Sequence, residues 1–406
     1  MQDIQFIKGG VTAPSGFVAA GIHCGIRRNK SKRDLALIVA DRQCAAAAVV
    51  TTNRVKAAPI HLSIKHLENG RARAILANSG NANACAPGGL DAAKKCVDTA
   101  AAALGIQPED IIVNSTGVIG QPLPVDTITS AIPELVNALS TDSGPAEEAI
   151  MTTDTFSKST AVKCIIGGKP VIIGGIAKGS GMIHPNMATM LAFLTTDCAI
   201  SPTLLKQALQ ESTNHTYNMI SVDGDTSTND MAAILASGTA GNPEITEKGA
   251  CYDAFVAALN AVNLYLAKKI ARDGEGATKL ITCSVSGAAD GETASVLAKS
   301  VISSSLVKAM MFGADANAGR VLCALGYSGA AFDTSRVDVA FSSDAGRVAV
   351  CEQGLGLAFD ESLAKAVLTQ SDVVIEITLS DGDGTAEAYG CDLTYDYVKI
   401  NGDYRS

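Results

Sequence analysis

A glycine-rich segment that runs directly into an apolar segment constrains this chain more than any other feature. The first segment is Lys178-Gly-Ser-Gly-Met-Ile-His-Pro-Asn-Met-Ala188, and the apolar residues begin at Thr189. Glycine permits backbone conformations that other residues avoid, and the apolar run predicts a buried strand from Thr189 to Thr195. A hydroxyl residue that follows the small residue Ala188 at such a junction suits a chain that cleaves itself.

Cleavage of the Ala188–Thr189 bond would give Thr189 two chemical roles. Its hydroxyl would attack the Ala188 carbonyl, and water would release the resulting ester. The freed α-amino group of Thr189, with a pKa near roughly 7.7–8, could then act as the base for its own hydroxyl. A threonine is also an ordinary strand residue, so the dipeptide alone leaves a purely structural role open.

Composition and pattern predict a globular α/β (α+β) chain. Of its 406 residues, 47% are hydrophobic and 18% are charged, which provides a large core and argues against disorder. Helix and strand patterns alternate, and this favours layered sheets covered by helices. No uninterrupted apolar run approaches the ~20 residues of a membrane helix, and the first residues lack a secretion signal. We therefore expect no membrane partner.

Charge and cysteine usage exclude further classes. The net charge is −9, and the basic cluster Arg27 to Arg33 is typical of a solvated loop, so no nucleic-acid partner is expected. Eleven cysteines, an odd number without a C-x-x-C pair, argue against a zinc site or a disulfide framework. The five histidines have no metal-ligand spacing among them. We expect free, mostly buried thiols, no metal and a cytoplasmic location.

Several helices and strands can be predicted from apolar periodicity and from capping residues. The predicted helices are Leu90–Leu104 with Asp91 as N-cap and Gly105 as stop, Val125–Leu139 with Pro133 inside, one beginning at Ser201-Pro202, Tyr252–Ala271, and Asp360–Leu368 with Asp360 as cap. The predicted strands are Ala74–Ala77, Ile111–Val113, Pro170–Ala177, Thr189–Thr195, Lys279–Val285, Val337–Phe341, Val348–Cys351 and Val373–Leu379. Asp381–Gly384 fits a hairpin loop.

The segment Asn114-Ser-Thr116-Gly117 follows a predicted strand. A strand end followed by Thr-Gly can direct a hydroxyl and a backbone N–H at one point, which is the donor pair of an oxyanion hole. Taken alone, the same residues are more typical of an ordinary strand-to-loop turn. Both interpretations remain open at this point.

A second polar segment, Ser221-Val-Asp-Gly-Asp-Thr-Ser-Thr-Asn-Asp230, is rich in carboxylates. If Asp223 is counted as the first position of a calcium loop, Thr228 stands where glycine is needed and Ile234 where glutamate is needed. These mismatches exclude an EF-hand. A polar loop that orders a site, or a simple turn, remains.

Several long motifs in the same order resemble the ornithine acetyltransferase family of arginine biosynthesis, also called glutamate N-acetyltransferase. The matching segments are Asn78-Ser-Gly-Asn-Ala-Asn-Ala-Cys85, Ser115-Thr-Gly-Val-Ile-Gly120, Met151-Thr-Thr-Asp-Thr155, Ala177-Lys-Gly-Ser-Gly-Met182, His184-Pro-Asn-Met-Ala-Thr-Met190, Ser221 to Asp230, Arg272-Asp-Gly-Glu-Gly-Ala-Thr-Lys279 and Cys391 to Ser406. The resemblance covers the whole chain.

This resemblance implies a self-cleaving precursor. Residues 1–188 would form an α fragment and residues 189–406 a co-folded β fragment, in an assembly of two α and two β fragments with the logic of N-terminal-nucleophile enzymes but not their topology. Thr189 resembles the nucleophile, and Thr116 and Gly117 resemble the oxyanion hole. The residues that resemble the substrate-binding set are Thr152, Lys178, Thr189, Glu275, Asn401 and Ser406. The family has threonine more often at the last of these positions.

The implied reaction is ping-pong acetyl transfer from N-acetylornithine to glutamate, without a metal or a bound cofactor. Some family members also acetylate glutamate with acetyl-CoA, and the sequence does not separate the two types. Lys178 can neutralise a substrate carboxylate, and Glu275 can face the ornithine ammonium. Two alternatives stay open: a self-processing amidohydrolase or aminopeptidase, and a non-catalytic binding protein whose junction is never cut.

Overall fold

The computed structural model describes residues 4–184 and 190–402. Within them the chain folds into two compact units. The first unit holds the described residues up to Gly179, those from 190 to Asn218, and Asp225–Ala267. The second holds Ser180–His184, Met219–Gly224 and the described residues from Lys268 onward. Each unit has its own sheet and its own apolar core.

Strands and helices alternate along the described residues, which confirms the predicted mixed α/β class with layered sheets. The strands are β1 (Gln5–Ile7), β2 (Phe17–Ile22), β3 (Leu35–Val50), β4 (Arg71–Asn81), β5 (Ile111–Val118), β6 (Lys158–Ile166), β7 (Lys169–Lys178), β8 (Leu191–Thr196), β9 (Ile220–Ser221), β10 (Met231–Ala236), β11 (Leu280–Ala288), β12 (Asp338–Ser343), β13 (Gly346–Glu352), β14 (Leu355–Gly356), β15 (Asp372–Thr378) and β16 (Gly384–Cys391). The α-helices are α1 (Ala58–His66), α2 (Gly89–Leu104), α3 (Val125–Asn137), α4 (Gly144–Ile150), α5 (Pro202–His215), α6 (Ala250–Arg272), α7 (Gly291–Ser303), α8 (Ser305–Gly313), α9 (Ala318–Gly326), α10 (Glu361–Leu368) and α11 (Tyr395–Gly402).

The first unit is built on one mixed sheet. Among the described residues its strand order is β1-β6-β7-β8-β10-β3-β4-β5, and β2 also pairs with β3. The β8–β10 and β4–β5 pairs are parallel, and the other pairs are antiparallel. The parallel β4–β5 pair carries both the Asn78 segment and the Thr116–Gly117 segment at its carboxyl end.

Strand β3 shows why this sheet is covered on both faces. Alternate residues of a strand point to opposite faces, and both sets are apolar and buried from Leu35 to Ala40. Leu35, Leu37 and Val39 belong to a core that includes residues of α2 and α3. Ala36 and Ile38 belong to a second core that includes residues of α4. The sheet that carries the polar segments at the ends of β4 and β5 is therefore covered on both faces at β3.

The second unit has a sheet of order β14-β13-β12-β15-β11-β16-β9 in the described residues. Its core joins apolar side chains of β11, β12 and β15 to those of α7, α8, α9 and α10. Helix α10 begins after Asp360, whose carboxylate accepts hydrogen bonds from the backbone N–H groups of Ser362 and Leu363. This confirms the predicted cap.

Three local predictions need correction. Helix α2 begins after Gly88, which has a left-handed conformation, so Asp91 lies in the first turn and is not the N-cap. The Asp381–Gly384 turn is not a hairpin loop, because β11 lies between β15 and β16 and pairs with both. Strand β5 continues to Val118, five residues beyond its predicted end. The other predicted elements are present, with ends that differ by a few residues.

Helix α6 passes from the first unit into the second at Ala267. In the described residues it has the length and apolar composition that a membrane span requires, and 56% of its most apolar window is buried in the protein. Core helices meet the same criteria, so length and composition alone do not distinguish the two. All eleven cysteines are free thiols, and most are buried, as predicted.

Candidate active site

The candidate oxyanion hole lies near the end of β5, beside β4. Thr116 and Gly117 pair in parallel with Ser79 and Gly80. Thr116 is only 8% exposed, so its hydroxyl sits at a protected position rather than in a solvated turn. The ladder to β4 extends the strand through the segment that the sequence predicted as a loop.

Gly117 occupies a position that only glycine can fill. Its φ angle is +132°, a region that side chains disfavour. A Cβ atom placed on Gly117 would lie 2.4 Å from the carbonyl carbon of Gly80 and 2.6 Å from the backbone nitrogen of Asn81. Both contacts are with backbone of the neighbouring strand, which cannot rotate away. The glycine therefore allows the two chain segments to approach closely.

Lys178 reaches the same place from β7. Its Nζ donates a hydrogen bond to Thr116 Oγ1 at 3.3 Å, and the lysine is buried. Because the hydroxyl oxygen accepts this bond, its own hydrogen can be directed at another acceptor. A cation, a hydroxyl and a glycine-only backbone position thus occupy one region of the first unit. This donor set can stabilise a negative oxygen.

A buried polar network fixes the backbone just before Thr116. Asn229 Nδ2 donates hydrogen bonds to the carbonyl oxygens of Ser115, at 2.8 Å, and Ala82, at 2.6 Å. Ser115 Oγ donates to Asn78 Oδ1 at 2.6 Å, and Asn114 Nδ2 donates to the Asn229 carbonyl at 3.0 Å. The polar segment that ends at Asp230 therefore orders the strand end next to Thr116, which is one of its two predicted roles.

Thr152 lies in the loop between α4 and β6, and its backbone is held on both sides. The Thr152 N–H donates to Asp154 Oδ2 at 2.9 Å. The Thr152 carbonyl accepts from the Arg27 guanidinium at 2.7 Å. Arg27 belongs to the basic cluster that the sequence analysis assigned to a solvated loop, so one member of that cluster has a specific structural role.

Glu275 and Asn401 meet in the second unit. Asn401 Nδ2, on α11, donates to Glu275 Oε2 at 2.8 Å, and Glu275 is only 7% exposed. Thr394, the residue before α11, also contacts the loop that contains Glu275. Its Oγ1 donates to the Gly276 carbonyl at 2.7 Å. Two of the residues predicted to bind substrate are therefore in direct contact.

Hydrogen bonds also hold residues Ser180 to Ile183, which follow Lys178, in place. Ser180 Oγ donates to the carbonyl of Asp273 at 2.7 Å, and the Glu275 N–H donates to the Ser180 carbonyl at 3.2 Å. Asp223 accepts from the backbone N–H groups of Met182 and Ile183. Met182 has a φ of +57°, which is uncommon for a residue with a side chain.

Three predicted residues lie outside the described part of the chain: Ala188, Thr189 and Ser406. Their roles stay predictions. Within residues 4–184 and 190–402, no group of three or more His, Cys, Asp or Glu side chains is close enough to hold a metal ion.

Comparison with known proteins decides the family. The model of the ArgJ family matches residues 18–406. The arginine biosynthesis bifunctional protein ArgJ of Symbiobacterium thermophilum is 54% identical over 406 residues, covering 99% of this chain and 100% of that protein. This chain belongs to the ArgJ family. It is an enzyme of arginine biosynthesis, of the glutamate N-acetyltransferase (ornithine acetyltransferase) class that the motifs indicated.

Two further similar proteins also carry the ArgJ name. The protein ArgJ 1 of Clostridium acetobutylicum is 52% identical over 392 residues, which cover 96% of each protein. The crystal structure of the arginine biosynthesis bifunctional protein argJ from Bacillus halodurans has 42% sequence identity and a TM-score of 0.44. The match covers 46% of this chain and 98% of the Bacillus halodurans chain.

Three residues that support the site were not among the predicted site residues. Asp154, Arg27 and Asn229 contact predicted residues or their neighbours through hydrogen bonds between distant parts of the chain. Asp154 and Asn229 do lie inside the quoted motif segments, Met151 to Thr155 and Ser221 to Asp230. These polar motifs contain residues to which no catalytic role was assigned. That was the sequence signal that could have indicated a supporting role for Asp154 and Asn229.

Proposed function

We propose that this protein transfers an acetyl group from N-acetylornithine to glutamate through an acetyl ester on Thr189. The observation that carries the proposal is the hydrogen bond from Lys178 Nζ to Thr116 Oγ1, next to Gly117, in a chain that belongs to the ArgJ family. These groups form the donor set that an acyl-transfer oxyanion needs. Membership of the family supports the choice of these substrates.

The enzyme first has to cleave itself between Ala188 and Thr189. The Thr189 hydroxyl attacks the Ala188 carbonyl, the C–N bond breaks, and water hydrolyses the ester. The products are residues 1–188 and residues 189–406, and the second fragment begins with a free threonine amine. The glycine-rich segment and the left-handed Met182 support a junction whose backbone can reach the required geometry.

In the first half-reaction the hydroxyl oxygen of Thr189 attacks the acetyl carbonyl of N-acetylornithine. The hydroxyl proton moves to the α-amino group of Thr189. The Thr116 hydroxyl and the Gly117 N–H donate to the oxyanion. As the tetrahedral intermediate collapses, the acetyl C–N bond breaks and the proton passes to the departing ornithine nitrogen. Acetyl-Thr189 remains.

The second half-reaction reverses these steps with a different amine. The amine of glutamate attacks the ester carbonyl and loses its proton to the α-amino group of Thr189. The ester C–O bond then breaks and Thr189 regains its hydroxyl proton. Each step uses groups of the chain itself, so we propose that it needs no metal and no bound cofactor. Acetyl-CoA stays an alternative acetyl donor for the same ester.

Charge complementarity suggests how the substrates are held. We propose that Lys178 faces a substrate carboxylate and that Glu275 faces the ornithine ammonium. Thr152, Asn401 and Ser406 complete the binding set. We also propose that the enzyme acts in the cytoplasm, because free thiols persist in a reducing compartment.

Product analysis tests the reaction. The purified protein is mixed with N-acetylornithine and glutamate, and N-acetylglutamate is the expected product. Formation of acetate alone would show that the enzyme is an amidohydrolase and would contradict the proposed transferase. A parallel reaction with acetyl-CoA and glutamate tests the alternative donor.

N-terminal sequencing and denaturing electrophoresis test the cleavage. We expect a fragment that begins Thr189-Met-Leu-Ala-Phe, and two bands that sum to 41.5 kDa. Thr189→Ala is expected to give one intact, inactive chain, and Thr189→Ser to retain part of both functions because the hydroxyl survives. An active wild-type preparation that consists of a single unbroken chain contradicts the proposal.

A further inference from the structure

A buried carboxylate joins two of the segments that carry predicted substrate-binding residues. Asp154 lies between α4 and β6, and its side chain is fully buried. Its Oδ2 accepts the N–H of Thr152 at 2.9 Å. Its Oδ1 accepts the N–H of Gly179, at the end of β7, at 2.7 Å. One side chain therefore fixes the peptide before Thr152 and the peptide after Lys178.

A buried lysine balances the charge of this carboxylate. Lys158 Nζ lies 2.7 Å from Asp154 Oδ1 and also donates to the carbonyl of Phe156 at 3.2 Å. Its side chain is as fully buried as that of Asp154. Burial by itself raises the pKa of the Asp154 carboxyl, but the charges of Lys158 and Lys178 and the hydrogen bonds outweigh it and lower the pKa to about 2. The carboxylate is thus ionised at neutral pH.

A buried ion pair is weak evidence for a stabilising role. Desolvation of two charges costs about as much as their attraction returns, and apolar replacements are often equally stable. What an apolar residue could not do is accept hydrogen bonds from two backbone segments at once. The two backbone hydrogen bonds that Asp154 accepts therefore explain its presence better than a gain in stability does.

The two segments matter because of the side chains that they carry. Thr152 belongs to the proposed substrate-binding set. Lys178, next to Gly179, donates to Thr116 Oγ1 in the candidate oxyanion hole. A displacement of either segment would move these groups away from their partners. Misplacement of reacting groups by about 1 Å can cost roughly 100-fold in rate.

We propose that Asp154 is a positioning residue for acetyl transfer, which holds Thr152 and the Lys178–Gly179 peptide in their working positions. Lys158 is its counter-ion. Asp154 acts through these neighbours, and the inference rests on the proposed transferase function.

A double variant separates positioning from simple charge balance. Asp154→Asn combined with Lys158→Met removes both charges together, so neither is left buried alone, and Tm is expected to fall only by the few degrees that the loss of one backbone hydrogen bond causes. The asparagine can accept only one of the two backbone N–H groups, because its amide nitrogen is a donor. We expect kcat/KM for N-acetylornithine to fall about 100-fold. KM for glutamate should also rise, because Lys178 is proposed to bind its carboxylate.

A second variant keeps the test decisive if the double variant loses stability. Asp154→Glu retains the negative charge beside Lys158 but adds a methylene that displaces the carboxylate. It is expected to fold and to lose activity. Lys95→Met with Asp126→Asn is the matched control, since it makes the same exchange at the exposed ion pair between α2 and α3. That control should leave the kinetics unchanged.

Rates are expressed per cleaved chain, measured by denaturing electrophoresis on the same preparations. Transfer by the wild type tests the proposed function, whereas the variants test the positioning role, so the two can fail separately. A double variant that stays folded and has a kcat/KM within about twofold of the wild type would overturn the inference. So would a fully active Asp154→Glu.

Discussion

At the scale of single residues, Gly117 is the position where the smallest change should have the largest effect. Gly117→Ala places a methyl group 2.4 Å from the backbone of Gly80 and forces β4 and β5 apart. The Gly117 N–H would move from its position, and loss of one oxyanion donor typically costs about 2.7–4 kcal/mol of barrier. We expect kcat for acetyl transfer to fall by about 100-fold or more.

Gly346→Ala provides the matched control for this substitution. Gly346 has the same φ of +132°, but the contact of its added Cβ would be with the flexible side chain of Leu363 at 3.3 Å. Both variants place a side chain at a positive φ, which costs about 1–3 kcal/mol of backbone strain. Only Gly117→Ala also disturbs the candidate oxyanion hole. Thermal melts and steady-state kinetics are measured on both. Equal kinetics in the two variants would remove Gly117 from the site.

Asp154 makes stability depend on pH in a defined direction. Its pKa is about 2 in the folded protein and roughly 3.9 in an unfolded chain. A lowered folded-state pKa contributes stability above the unfolded value, and that stability is lost as pH falls through the folded value. We expect roughly 2 kcal/mol of this contribution to disappear between about pH 4 and pH 2.

Urea unfolding of the wild type and of the Asp154→Asn/Lys158→Met variant, over that pH range, measures the effect. As pH falls from about 4 to about 2, the free energy of unfolding of the wild type should drop relative to that of the variant by roughly 2 kcal/mol. A difference that stays constant with pH contradicts the assigned pKa. The exposed Lys95 and Asp126 pair, exchanged in the same way, corrects for general acid effects.

At the scale of elements, the sequence predicts what is local and misses what is not. Helix α10 was predicted with its cap because Asp360 bonds to N–H groups within its own first turn. The Asp381–Gly384 turn was mistaken for a hairpin because nothing in its own residues shows that β11 separates the two strands. Strand partners are set by packing across the whole sheet, and a turn sequence does not encode them.

In the candidate site, too, residues within motifs were predicted, and a contact between distant segments was not. Thr116, Gly117 and Lys178 were predicted from motifs, and the structure brings Lys178 and Thr116 into contact. Asp154 was not singled out, because its partners Thr152 and Gly179 are distant from each other in sequence. A hydrogen bond between distant segments leaves no spacing pattern to detect.

Helix α11 carries a prediction of its own. Gly276, in the loop after Glu275, has a φ of +69°, and an added Cβ would lie 2.8 Å from the backbone nitrogen of Tyr397 on α11. Gly276→Ala should therefore displace α11 and break the bond between Asn401 and Glu275. We expect KM for N-acetylornithine to rise about tenfold or more, as for the loss of a charge-assisted hydrogen bond.

Gly105→Ala is the control, because Gly105 has nearly the same φ, +66°, and among the described residues no heavy atom lies within 4 Å of the added Cβ. The two variants should lose similar stability from backbone strain, so a difference in KM reports the displacement of α11. Calorimetry and initial-rate kinetics measure the two effects. Unchanged KM in Gly276→Ala would show that α11 does not contribute to binding.

At the scale of the whole molecule, the predicted cleavage point does not coincide with a boundary between compact units. The first unit contains strands from both sides of the junction. Strand β8, which follows the junction, pairs with β7, and β10 pairs with β3. The sheet therefore depends on hydrogen bonds between residues of the two predicted fragments, and a single cut would leave all of these bonds in place.

We therefore expect the two fragments to remain bound to each other after cleavage. Native size exclusion should give one peak that contains both, with a mass near twice 41.5 kDa if two α and two β fragments assemble. Denaturant should be needed to separate them, because exposing β8 and β10 would unpair two strands and uncover their buried apolar side chains. Recovery of residues 189–406 alone from a native column would contradict a shared sheet, and a peak at 41.5 kDa would contradict only the larger assembly.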